Sequence, residues 1–127
     1  MRVTIASVLD HRSGTLEFQT EYGVGIGCWV GTPPSVGETF DVEFGVEPVL
    51  RCGSDMVVVQ GVDAPRISTA SDGTVIIGQL ERNEQDGMAI VRVGHHVLML
   101  EFEGEPLPLS SWVRVGPIPV LLYDTNA

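Results

Sequence analysis

Apolar and polar residues alternate along most of the chain with a period of two. The clearest stretch is 40–44, where Phe40, Val42 and Phe44 alternate with Asp41 and Glu43. Because neighbouring side chains of a strand point to opposite faces, we expect the three apolar residues to point inward and the two acids outward. Apolar runs of strand length also occupy 3–7, 16–19, 56–59, 75–80, 88–93, 97–102, 112–115 and 120–123.

Turn signals separate these runs, at Ser13-Gly14, 32–35, Asp72-Gly73 and Asp86-Gly87. No segment carries apolar residues at helical spacing for three turns, and 15 Gly and 8 Pro interrupt any long helix. The sequence therefore predicts an all-β fold of roughly ten short strands, either an antiparallel sandwich or two small barrel-like halves.

The two halves of the sequence resemble each other. The string Gly-x-x-Pro-Val-Leu occurs at 45–50 and again at 116–121, and each copy follows a glycine turn, Gly14 or Gly87. This pattern predicts an internal duplication within a single domain, 1–127, with halves 1–63 and 73–127 joined by 64–72. The alternative is that a chain of many short strands shows such sequence similarities between its halves by chance.

The charge balance restricts the class of partner. Seventeen Asp and Glu stand against seven basic residues, all of them Arg, and the net charge is −10. Nucleic-acid binding rests on cations that neutralise phosphates, so this chain is not expected to bind nucleic acid. A strongly negative protein associates fast with basic proteins, although solubility alone is the alternative explanation.

Membrane insertion and a disulfide are both unexpected. No stretch approaches the roughly 18 apolar residues needed to span a bilayer, and charges at 10–12 interrupt the N-terminal apolar run where a signal peptide would continue. We therefore expect a cytoplasmic protein. Cys28 and Cys52 lack CxxC spacing and are expected to be buried free thiols, with a disulfide between them as the alternative.

The residues that most often support catalysis or metal binding occur in unsuitable patterns. His95 and His96 are adjacent, so on a strand they would face opposite sides and could not share a metal ion. Gly23, Gly25 and Gly27 resemble a phosphate loop but lack a following helix and Lys, which favours a close-packed or bulged strand. No serine lies in a nucleophile motif. We expect no enzymatic activity, no cofactor and no metal.

Acidic residues recur at strand spacing in two places. Like charges on one face of a strand lower stability unless a cation or a partner relieves the repulsion. We therefore predict that one of these triplets binds a partner, and a solvated sheet face is the alternative. The two triplets are Asp41, Glu43 and Glu47, and Glu101, Glu103 and Glu105.

Five short strings occur together along most of the chain. They are Trp-Val-Gly at 29–31, the stretch 36–44, the stretch 86–94, Leu-Glu-Phe-Glu-Gly at 100–104 and Leu-Leu-Tyr-Asp at 121–124. Together they resemble a group of small uncharacterised bacterial all-β proteins. The resemblance implies an immunity or accessory role, and it transfers no functional residues.

These observations favour a non-catalytic module that binds a protein. Its most concrete form is an immunity-type inhibitor whose acidic face covers a basic toxin. Two alternatives stay open. One is an OB-like barrel that binds a small ligand or an oligonucleotide, and the other is a structural subunit of a phage or secretion assembly.

Overall fold

The computed structural model describes residues 1–84 and 86–125. Within them the chain forms twelve strands and no helix. The strands are β1 (Arg2–Asp10), β2 (Thr15–Thr20), β3 (Gly23–Trp29), β4 (Thr39–Gly45), β5 (Leu50–Arg51), β6 (Met56–Val58), β7 (Arg66–Ala70), β8 (Gly73–Asn83), β9 (Met88–Val93), β10 (His96–Glu103), β11 (Trp112–Ile118) and β12 (Leu121–Asp124). The all-β, barrel-like prediction is confirmed.

Five strands close into a small barrel. Strand β1 pairs antiparallel with β2 and with β4, and β2 pairs antiparallel with β3. Strand β12 closes the ring, because it pairs antiparallel with β4 and parallel with β3. The final strand of the chain therefore completes a barrel made otherwise from its first third.

The second half repeats this arrangement in a less regular form. Strand β8 pairs antiparallel with β9 and β11, β9 pairs antiparallel with β10, and β10 pairs parallel with β5. Strand β6 pairs with β11, and a single bridge between Cys52 and Met56 connects the β5 side to β6. These contacts enclose the second part of the core.

The two halves exchange a strand. Strand β5 follows β4 along the chain but pairs with β10, and β12 follows β11 but pairs with β3 and β4. In the two parallel pairs Leu122 lies opposite Trp29, and Leu50 lies opposite Phe102. Each half thus contributes one strand to the other, which makes the two halves one body.

Equivalent backbone contacts accompany the exchange. The Trp29 amide donates a hydrogen bond to the Gly14 carbonyl at 2.9 Å, and the Phe102 amide donates one to the Gly87 carbonyl at 2.7 Å. Register shifts occur at matching places in β1 and β8, between Ile5 and Ser7 in the first and between Leu80 and Arg82 in the second. The pairing pattern around β1 therefore recurs around β8, and the internal duplication stays a prediction.

The segment 64–72, predicted as a joint, contains a strand. Strand β7 pairs antiparallel with β8 and meets β3 where Ile67 lies opposite Gly23. Alternation did not predict this strand because Arg66-Ile67-Ser68 contains only one apolar residue. That residue, Ile67, is buried. The joint is therefore part of the sheet that connects the halves.

The predicted register of β4 is confirmed. Val42 is buried, Phe40 and Phe44 are half-buried against the core, and Asp41 and Glu43 are exposed. The half-buried rings cover the barrel core, since the Phe44 ring lies 5.4 Å from that of Phe18 and the Phe40 ring lies 4.9 Å from that of Trp29. The other buried apolar side chains include Val3, Ile5, Leu16, Leu80, Val91, Leu98, Leu100, Val113, Val115, Ile118, Val120 and Leu122.

The glycines of β3 make room for these side chains. A Cβ atom on Gly25 would lie 2.6 Å from Cζ of Phe18, and one on Gly27 would lie 2.8 Å from the Val120 carbonyl oxygen. The structure therefore agrees with a close-packed strand and not with a phosphate loop.

The two cysteines are free, and their predicted burial needs correction. Both are only half-buried. Cys28 Sγ donates a hydrogen bond to the Ser13 carbonyl at 2.7 Å. Burial raises the pKa of the Cys52 thiol, which lowers its thiolate fraction at neutral pH.

Candidate protein-binding surface

The first acidic triplet lies on and just after β4. Asp41 and Glu43 project from the exposed face of the strand, and Glu47 is exposed in the segment that follows it. Asp41 Oδ1 lies 3.5 Å from Arg2 Nε, and both side chains are largely exposed. An exposed pair of this kind contributes little to stability, so Asp41→Asn is expected to be nearly neutral for folding.

The second acidic triplet lies on and just after β10. Glu101 and Glu103 alternate with the buried residues Leu100 and Phe102, and Glu105 is exposed in the segment beyond the strand. Glu103 Oε1 lies 3.4 Å from Nη2 of an Arg of β5, Arg51. The outward acids of β10 were thus placed correctly by their spacing.

Most of these carboxylates have no internal counter-ion. Within the described residues, no cationic group lies within 4 Å of Glu43, Glu47, Glu101 or Glu105. The chain has few cations to offer, because only seven Arg face seventeen acids. Four of the six carboxylates therefore face solvent without a close ion pair among the described residues, although the Met1 amine interacts electrostatically with Asp41 and Glu43.

The structure brings Asp41 and Glu43 of the first triplet, but no residue of the second, to a groove between the halves. This groove has a volume of about 470 Å³ and lies between β4 and the β9–β10 hairpin. Asp41 and Glu43 line one wall, and His95, His96 and Val97 line the other. The second triplet begins four residues after Val97, which corresponds to roughly 13 Å along β10.

Two hairpin turns, one from each half, also contact each other. The β9–β10 turn approaches Tyr22 of the β2–β3 turn so closely that a side chain on Gly94 would overlap the Tyr22 hydroxyl. Burial and a hydrogen bond with Glu21 raise the pKa of the Tyr22 hydroxyl. Tyr22 therefore stays protonated where the two halves meet.

Burial lowers the pKa of two titratable groups beside this contact. Burial lowers the pKa of His96 below its ordinary value of 6.5, and the positively charged N-terminus adds to this effect. Burial also lowers the pKa of the Met1 amine, which donates a hydrogen bond to the Val42 carbonyl at 3.0 Å. The nearby acids Glu21 and Asp41 act on His96 in the opposite direction.

The lowered pKa of His96 predicts a loss of stability in acid. As pH falls below 6.5, the unfolded chain binds a proton at this histidine more readily than the folded chain does. The free energy of unfolding should therefore decrease between about pH 7 and pH 5, and His96→Gln should make that decrease smaller. Denaturant titrations at several pH values measure the effect. An equal change in slope for His11→Gln, at the exposed β1–β2 turn, would contradict it.

The structure adds residues that sequence reasoning missed. Val97 and Met99 project outward from β10 and are 56% and 59% exposed. The sequence analysis included them only as part of an apolar run of strand length, 97–102, without assigning a face to either residue. Alternation along β10 could have predicted their exposure. Because Leu98 and Leu100 point into the core, Val97 and Met99 must lie on the outer face.

Neither a metal site nor a membrane-spanning helix is found in the described residues. In 1–84 and 86–125, no group of three or more His, Cys, Asp and Glu side chains is placed to hold a metal ion. The same part of the chain contains no helix long and apolar enough to cross a bilayer. His95 lies in the β9–β10 turn and His96 begins β10.

Comparisons with known proteins identify no relative. No protein-family model matches the chain, and no curated protein or solved structure matches it at a significant level.

Proposed function

We propose that this protein is a non-catalytic module that binds a basic protein through an acidic strand face. The observation that carries the proposal is the exposed charge on β4 and β10, where four of the six predicted carboxylates have no cation within 4 Å among the described residues. A partner that brings Arg or Lys to these faces relieves the repulsion between neighbouring acids.

The expected contribution of this charge is mainly kinetic. Complementary charges accelerate encounter between proteins and suppress binding to acidic competitors, whereas exposed ion pairs add little to affinity. A net charge of −10 on a chain of 127 residues supplies such a field.

An immunity-type inhibitor of a toxin is the most concrete form of this proposal. A toxin that cleaves nucleic acid needs a basic surface for its own substrate. An acidic protein that covers this surface blocks the substrate by occupying the same cations. The proposal places the inhibitor in the cytoplasm, with its target.

Affinity capture on the immobilised full-length chain tests the proposal. At low ionic strength it should retain a protein with an isoelectric point above about 9, and a gene beside that of this chain should encode it. Retention of an acidic or neutral protein by a salt-independent contact would contradict the electrostatic basis of the proposal.

Neutralising one triplet should slow association with that partner. We expect Glu101→Gln, Glu103→Gln and Glu105→Gln together, or Asp41→Asn, Glu43→Gln and Glu47→Gln together, to lower the association rate by roughly tenfold at low salt. The melting temperature should change little because all six side chains are exposed. Stopped-flow measurements of association would give the rates.

A matched control separates the effect of the charge on one strand face from the effect of the net charge of the protein. Asp63→Asn, Asp72→Asn and Glu17→Gln together change the net charge by the same amount at positions outside both triplets. This variant should lose much less of the association rate. If all three variants slow association equally, the net charge and not a particular face determines the rate.

A second candidate function is ligand binding by an OB-like barrel. The closed barrel of β1, β2, β3, β12 and β4 favours it, because OB-folds are five-stranded barrels that bind ligands with strands 2 and 3. Against an oligonucleotide, β2 and β3 contain no Arg, and Glu17 lies on β2. Titration with a single-stranded oligonucleotide should show no binding if the leading proposal is correct.

A further inference from the structure

The outer face of the β9–β10 hairpin combines an apolar centre with an acidic end. Val97 and Met99 of β10 are the most exposed apolar side chains of this face. Ile90 lies directly opposite Met99 on β9, and Met88 lies opposite Glu101. Ile90 and Met88 are half-buried. We call these four apolar residues and Glu101 the hairpin face.

Such a surface is unusual for a sheet exposed to water. An antiparallel sheet with one face on the core normally carries polar residues on the other, and β10 has two apolar residues there instead. The opposite side of the same strands buries Leu98, Leu100 and Val91, so the outward residues are not needed for the core. Methionine side chains adapt their shape to different partners and are common at protein-binding surfaces.

The charges around the hairpin face determine the chemistry of its partner. The Arg residues on β8 and β9 beside it are already paired, since Arg92 Nε lies 2.7 Å from Glu81 Oε2 and Arg82 Nη1 lies 3.7 Å from Glu84 Oε1. Glu101 has no cation within 4 Å among the described residues. A partner that covers Met99 and carries a cation beside this position would find the Glu101 carboxylate available to pair with it.

We propose that the hairpin face is where the basic protein partner binds, with Met99 as the central apolar contact and Glu101 as the acceptor for an Arg or Lys of the partner. This inference rests on the proposed function and chooses between its two acidic surfaces. Binding energy in interfaces is concentrated in a few central contacts surrounded by a polar rim, and the hairpin face has this composition.

The outward side of β4 has a smaller exposed apolar surface than the hairpin face, because its apolar neighbour Tyr123 is 42% exposed, against 56% and 59% for Val97 and Met99. Its outward residues are Asp41 and Glu43, and Asp41 is already beside Arg2. The large side chain opposite Glu43 is Tyr123 of β12, whose ring lies against Gly45. The first triplet is therefore expected to contribute to the electrostatic field and not to the contact.

Three synthetic peptides test the inference on the full-length protein. The first alternates Leu and Arg, the second alternates Ser and Arg, and the third alternates Leu and Glu. Amide chemical shifts should change mainly at β9 and β10 with the first peptide, change weakly with the second, and stay unchanged with the third. Met99→Ser should weaken binding of the first peptide by at least about tenfold, and Glu101→Gln by a few-fold.

Val36→Ser is the matched control, because Val36 is 62% exposed and lies before β4 in the other half. It should leave peptide binding unchanged. If the Leu-Arg peptide instead perturbs β4, and Met99→Ser has no effect, the hairpin face is not the binding surface while the proposal of a basic partner stands. If neither Arg-containing peptide binds anywhere, the proposed function fails as well.

Discussion

Leu122→Ala should lower the free energy of unfolding by about 2–5 kcal/mol, the range observed when a buried leucine is truncated. Leu122 is fully buried. It stands opposite Trp29 in the parallel β3–β12 pair, and its Cδ1 atom fills the space above Gly27. Truncation therefore leaves a cavity inside the first barrel.

Leu109→Ala is the matched control for this substitution. Leu109 is exposed in the segment before β11, so its truncation should change stability by no more than about 0.5 kcal/mol. Equilibrium denaturation in urea measures both variants. Equal losses would mean that β12 does not complete the first barrel.

Gly23→Ala should destabilise the protein by roughly 3 kcal/mol or more, because the added carbon would collide with the backbone of β7. The ideal Cβ position at Gly23 overlaps the Ile67 carbonyl oxygen, where β3 and β7 approach each other. The backbone φ of Gly23 is 135°, which also disfavours an L side chain. To relieve the overlap, β3 and β7 would have to move apart where Gly23 lies opposite Ile67.

Gly37→Ala separates the collision from the backbone strain. Gly37 also has a positive φ, 91°, but a Cβ atom there would meet no other atom within 4 Å. Its substitution should cost about 1 kcal/mol through strain alone. If Gly23→Ala costs no more than Gly37→Ala, then β3 and β7 do not approach as closely as described.

The sequence predicted those features that depend on local alternation. The register of β4 followed from Phe40, Val42 and Phe44, and the β8–β9 hairpin followed from Asp86-Gly87. The burial of each β4 side chain follows from its position on a two-faced strand, and an Asp-Gly pair between two apolar runs is a typical hairpin turn.

Strand pairing at long range was not predictable in the same way. The string Val-Leu at 49–50 and its counterpart at 120–121 were recognised as equivalent, but nothing in their composition indicates that each pairs with the opposite half. Partner choice depends on the three-dimensional path of the chain, because a short apolar strand fits any sheet edge with a free backbone. The exchange of β5 and β12 is visible only in the structure.

The candidate site was predictable in part. The spacing of Glu101 and Glu103 placed them on the outside of β10, as the structure shows. The apolar half of the hairpin face was missed, since Val97 and Met99 have the composition of core residues. Whether an apolar side chain is buried depends on what packs against its strand. Among the described residues nothing covers this face, and the sequence of β10 does not indicate this.

The most direct test of the central claim is the ionic-strength dependence of association between the wild-type protein and its captured partner. If the acidic faces guide a basic protein, the association rate should fall by about tenfold or more between low and high salt, as the screening length shortens. The dissociation rate should change much less. An association rate that is independent of salt would contradict the claim that charge on the strand faces recruits the partner.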